Sequence, residues 1–112
     1  MDIDERLIEE VQSQLEGDIL HFAWLVQIVH QMNPSLSDSE CTDTVVALVA
    51  RLHDDATIVI GNARQIDEIV LIDAWPESKH NLRDRIKSAI VESSDRDRDF
   101  CFWIQLTGHF AR

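Results

Sequence analysis

The chain has 112 residues with 21 Asp and Glu against 10 Lys and Arg, a formal net charge of −11, and is 45% hydrophobic. That length supports a single domain spanning residues 1–112 and one core, and that apolar fraction excludes wholesale disorder. Residues 1–77 hold 16 acids against Arg6, Arg51 and Arg64, a balance of −13, while residues 78–112 balance at +2, so most of the chain presents a field that repels phosphates and attracts a basic partner.

The opening Met1-Asp2-Ile3-Asp4-Glu5 is acidic and lacks the basic start and apolar run of a secretory signal. Ile3, Leu7, Ile8, Val11 and Leu15 recur at helical spacing, with Glu9, Glu10, Gln12 and Gln14 between them, which predicts a short amphipathic helix. Gly17 is placed to end it in a left-handed conformation, and Asp18 to cap the next helix. From Ile19 to Met32 almost every face is apolar, so this helix is expected at the centre, with Trp24 in the core. His21, Gln27, His30, Gln31 and Asn33 interrupt the uncharged stretch Ile19–Leu36, which falls short of a membrane span. A soluble, cytoplasmic protein is expected.

Asn33-Pro34 stops that helix, and Ser37-Asp38-Ser39-Glu40 matches a capping box opening another, with Val45, Val46, Leu48, Val49 and Leu52 on its core side. Thr57-Ile58-Val59-Ile60 reads as a strand turning at Gly61-Asn62, and Glu68 to Asp73 is compatible with a second strand. Pro76 opens a polar helix with Leu82, Ile86, Ala89 and Ile90 inward and Lys79, Arg83, Arg85 and Lys87 on the opposite surface. After the charged segment Ser93–Asp99, Phe100, Phe102, Ile104 and Leu106 alternate with Cys101, Trp103, Gln105 and Thr107, predicting a final strand. The expected fold is α+β: a winged-helix-like three-helix core with a small antiparallel hairpin or sheet and one additional C-terminal helix. A compact α+β domain with a small sheet on a helical layer is the alternative.

Catalytic signatures are missing. Three glycines cannot build a phosphate-cradling loop, and no Gly-x-Ser-x-Gly occurs. His21 and His30 lie about half a helical revolution out of phase, and no metal-ligand spacing is present, so neither a metal nor any other cofactor is expected. Cys41 and Cys101 share no metal-type spacing and are expected as buried or half-buried free thiols. Acids at 38, 40 and 43 would raise the Cys41 pKa, so it makes a poor nucleophile. The chain is not expected to be an enzyme.

The block Asp18–Gly61, with Ser37-Asp38-Ser39-Glu40 and the run Val45-Val46-Ala47-Leu48-Val49-Ala50-Arg51-Leu52-His53-Asp54-Asp55, resembles a family of small bacterial proteins of winged-helix type. The strand ending at Gly61, the lone Trp75 and the closing Phe102-Trp103-Ile104-Gln105-Leu106-Thr107-Gly108 extend the resemblance over most of residues 18–108. In that family Leu-Thr is commonly separated from the Gly, whereas here they abut, which implies a shortened turn. Such small acidic proteins are similar to immunity proteins that neutralise secreted bacterial toxins, and the resemblance implies that role.

DNA binding, the default role of a winged helix, meets an obstacle in charge. The recognition helix would be Ser37–Asp55, with five acids to one base, and phosphate contacts from Lys and Arg supply much of such affinity. An inhibitor occupying the basic cleft of a toxin, a nuclease above all, suits these charges better. The candidate contact residues are Asp54, Asp55, Asp67 and Glu68, where acids cluster at element ends, although charge runs are commonly plain solvated surface. Trp103, on the Cys101/Gln105 side of the last strand, is expected half exposed and suits an interface anchor; core packing competes with that role for Trp103 and Trp75 alike. The expected partner is therefore a basic protein, the cognate toxin, with no nucleic acid or membrane. A DNA-binding regulator using the C-terminal basic helix is the alternative, and a homodimer through Trp103 and the edge of the last strand is a third reading.

Overall fold

A computed structural model describes residues 5–76, 81–94 and 96–107. The order is α1 (Glu5–Leu15), β1 (Leu20–His21), α2 (Phe22–Met32), α3 (Asp38–Asp54), β2 (Ile58–Ile66), β3 (Ile69–Ala74), α4 (Leu82–Glu92), a 3-10 turn (Arg98–Phe100) and β4 (Trp103–Leu106). The fold is mixed α+β, with four helices and a four-stranded antiparallel sheet in the order β1-β4-β2-β3. No described helix is long and apolar enough to cross a membrane.

α1 buries Leu7, Ile8, Val11 and Leu15, the predicted stripe. It does not end on a left-handed glycine: no described glycine has positive φ. Its last turn closes instead through Glu16 N–H to the Ser13 carbonyl and Asp18 N–H to the Leu15 carbonyl. Nor does Asp18 cap α2, because β1 intervenes; the cap is His21, whose Nδ1 accepts from the Trp24 N–H. β1 lies inside a stretch predicted to be helical. Two residues carry no periodicity of their own, and the pairing that defines them comes from Ile104 and Trp103, far along the chain.

The central helix is α3, not α2. In α3 the six consecutive residues Val45 to Ala50 are all buried, together with Cys41 and Leu52. α2, α4 and β2 pack against it, and Arg51 near its end reaches Glu5 of α1 at 3.7 Å. α2 turns Phe22, Leu25, Ile28 and Val29 inward, and Trp24, about 200° round the helix from Phe22, is left 41% exposed. The expectation of a core Trp24 is therefore overturned.

The caps of α3 are built locally. Ser37 N–H donates to Glu40 Oε1 (3.0 Å) and Glu40 N–H to Ser37 Oγ (3.2 Å), the predicted capping box. Hydrogen bonding from the Ser37 backbone N–H, then from the Ser37 side chain, holds the Glu40 carboxyl below its ordinary range. At the other end Ala56 N–H donates to the His53 carbonyl and Thr57 N–H to the Leu52 carbonyl, a Schellman closure. It places Ala56 at φ 57°, where glycine is the usual occupant.

β2 does not turn at Gly61-Asn62 but continues to Ile66 and pairs with β3, the second strand allowed by the sequence. A Cβ on Gly61 would run into the Asp73 carbonyl and come within 2.9 Å of the Ala74 Cα, so the close approach of β3 requires glycine. The actual turn is Asp67-Glu68, with Asp67 at φ 55°. α4 joins β3 to β4, and β4 returns between β1 and β2. Phe100 belongs to the 3-10 turn and not to the final strand. The helix expected after Pro76 is described from Leu82 onward as α4; Glu77 and Lys79 of its expected opening and the closing Gly108 fall outside the described residues.

Residues directly opposite in an antiparallel pair share a face. Register and parity put Ile58, Ile60, Ile104 and Leu20 on the face that meets the helices, with Phe102 in the same core. Val59, Gly61, Ala63, Gln65, His21, Trp103, Gln105, Val70 and Ile72 belong to the second face.

Two substitutions test this backbone by thermal or urea unfolding. Gly61→Ala is expected to destabilise the fold by more than about 2 kcal/mol, because the obstacle is backbone, whereas Gly17→Ala, with open space around it, is near neutral. Ala56→Gly is expected to stabilise by about 1 kcal/mol by relieving the left-handed position.

Candidate functional site

The second sheet face opens into a groove of about 870 Å³, lined from α1 and the following turn by Gln14, Gly17, Asp18 and Ile19. β1 supplies Leu20 and His21, α2 Trp24, β3 Val70, and β4 Trp103 and Gln105. Its wall of rings follows from the strand register. His21 lies opposite Trp103 across the β1–β4 pair, and their ring centroids are 5.0 Å apart, edge to face. Phe100, raised on the 3-10 turn, meets His21 at 4.7 Å and stacks on Trp103 at 5.9 Å. This trio is held together yet open: Phe100 is 55% exposed and Trp103 half-buried.

Trp24 enters from the helix side. Its Nε1–H donates to Gln14 Oε1 at 2.6 Å, and Gln14 Nε2 donates to Glu10 at 2.8 Å. The indole is thus oriented through an amide that is itself anchored on a carboxylate. Among the described residues no Lys or Arg lines the groove, and Asp18 is the one charged residue that does. Aromatic faces beside carboxylates and without competing cations attract an ammonium or guanidinium group.

The four acids singled out in the sequence do not gather here. Asp54 and Asp55 lie where α3 ends, just before β2 begins, and Arg51 Nε donates to Asp55 at 3.2 Å. Asp67 and Glu68 form the turn at the far end of β2. Nine residues of strand separate the pairs, roughly 30 Å of rise, so they are two separate sites on the surface. Asp67 also has a conformational reason for its place, since Asp tolerates the left-handed turn position better than most residues. Of the residues named from sequence, only Trp103 lies in the groove. Trp24, His21 and Phe100 were missed as surface aromatics. Trp75 is a packing residue: its Nε1–H donates to Asn62, and the Arg85 guanidinium sits 4.0 Å above its ring.

The thiol–imidazole contact is Cys41 Sγ to His30 Nδ1 at 3.8 Å. The thiol is buried, and burial, then Asp38 and Glu40, push its pKa up, the reverse of what nucleophilic catalysis needs. Burial likewise pushes the Cys101 thiol up to about 11. Both cysteines are free. No three of His, Cys, Asp and Glu converge on a point among the described residues.

Compared with family models, curated proteins and solved structures, the chain matches none.

The raised thiols give a direct check. Alkylation of the native protein at pH 8 is expected to be slower than that of the urea-unfolded chain, at Cys101 by about a hundredfold from thiolate fraction alone. Equal rates, read by peptide mass spectrometry, would contradict the assigned burial.

Proposed function

We propose that this chain is an acidic protein-binding domain of the immunity type, acting in the cytoplasm, that neutralises a basic bacterial toxin by occupying its substrate-binding surface, a nuclease being the leading case. The observation that carries this reading is the aromatic groove. Trp24, His21 and Trp103 line an open concavity on a chain of net charge −11, with Asp18 beside them and no cation among the described lining residues. A Lys or Arg of the toxin lies over an indole face, while the acid pairs at Asp54/Asp55 and Asp67/Glu68 steer the encounter from either end of β2. Large half-exposed aromatics at the centre and charges at the periphery is the usual distribution of energy and rate in such interfaces.

The winged-helix regulator is retained as a second reading because of connectivity. Three helices are followed by the paired strands β2 and β4, which correspond to a wing with β3 and α4 inserted between them. Against it stands α3, which would be the recognition helix. Its middle six residues are enclosed, and its exposed ends carry Asp38, Glu40, Asp43, Asp54 and Asp55. Such a helix has neither an open face for the major groove nor the cations for phosphate.

Titration calorimetry against the basic protein encoded beside this chain separates the two. The expected result is a tight complex and loss of the toxin's activity. Trp103→Ala should weaken it at least about thirtyfold, the scale of an aromatic hot spot, and Asp54→Lys/Asp55→Lys should mainly slow association. No binding, or a mobility shift of DNA at low salt, would overturn the proposal in favour of the regulator.

A further inference from the structure

The third sequence reading placed self-association on the edge of the last strand. That edge does not exist: β4 is flanked by β1 on one side and β2 on the other. The edges of the sheet are β1, of two residues, and β3, of six. Short edge strands offer little for pairing, and long ones are normally blunted by Lys, Pro or a bulge. β3, Ile69-Val70-Leu71-Ile72-Asp73-Ala74, contains neither Lys nor Pro, and its register with β2 runs unbroken from Ala74 to Ile69.

The exposed side chains around this edge occur on both faces. Val70 is 42% exposed on the groove face, and Leu71 (41%) and Ile66 (46%) are exposed on the other. A helix laid on the sheet would cover one face and leave the other wet. A strand added edge-on continues both faces at once and satisfies the outward backbone groups of β3.

We propose that the occupant is β3 of a second copy of this chain, paired antiparallel about a two-fold axis through Leu71. That register puts Leu71 opposite its own counterpart and Val70 opposite Ile72 of the second copy, apolar against apolar on a common face. Asp73 falls opposite position 69 and Glu68 opposite position 74, so no like charges meet directly. Asp73 is in addition neutralised within its own chain by Arg64 Nη2 at 3.3 Å. The four-stranded sheets then join into one of eight strands. Six residues per chain is smaller than a standard specific interface, so the dimer is weak and forms only at high micromolar concentrations. It uses no ring of the aromatic groove, although Val70 borders both surfaces, and its test needs no toxin.

Analytical ultracentrifugation of the purified chain alone tests it. Wild type should shift from monomer to twice the chain mass across high micromolar concentrations. Leu71→Lys and Leu71→Glu should each sediment as folded monomers with unchanged circular dichroism, because each puts two like charges on the axis. An equimolar mixture of the two variants should form a dimer again, since only a two-fold axis at Leu71 sets the opposite charges against each other. Val91→Lys, at a 77% exposed site on α4, should dimerise as wild type does. A wild type that stays monomeric, single variants that remain dimeric, or a mixture that stays monomeric would each overturn the proposal.

Discussion

Enclosure of α3 is the constraint from which the rest of the molecule follows. Six successive buried residues turn through more than a full revolution, so no single neighbour can cover them. α2, α4 and β2 share that work, and α1 closes near Arg51. Polar residues of α3 are thereby confined to its two ends. Asp38 and Glu40 at the start complement the helix dipole, while Asp54 and Asp55 at the finish oppose it and are offset by Arg51. The acid pair that drew attention in the sequence is thus partly a by-product of where a wrapped helix can still meet water.

Local signals in the sequence were sound where the physics is local. The capping box at Ser37–Glu40, the stripe of α1 and the alternation of Phe102, Ile104 and Leu106 each depend on neighbours within a few residues. What escaped was set by distant partners. β1 exists only because Ile104 and Trp103 pair with it. α2 and α3 exchanged roles because Ala47 and Ala50 add little hydrophobicity to α3 yet allow close packing, whereas Trp24 adds much to α2 without lying on its buried face. The groove was legible only in part. The parity of the last strand placed Trp103 off the core, but the positions of His21, Trp24 and Phe100 relative to it are properties of the sheet and the 3-10 turn.

The sheet divides the labour of the molecule. One face, with Ile58, Ile60 and Ile104, is spent on the core, and the other, with His21, Trp103 and Gln105, is left to line a groove. The acid pairs Asp54/Asp55 and Asp67/Glu68 lie at the end of α3 and at the β2–β3 turn, while Asp18 borders the groove.

β4 is the last element of the described residues and an inner member of the sheet, pairing with β1 across more than eighty residues of sequence. During synthesis the helices and the β2–β3 hairpin emerge first, with a gap where β4 belongs. Until Trp103 arrives, His21 has no strand to pair with and the aromatic wall does not exist. A nascent chain therefore carries all of its acids before the His21–Trp103 wall is assembled. A chain that stops before residue 103 therefore has its acids in place but lacks the strand that joins β1 to β2.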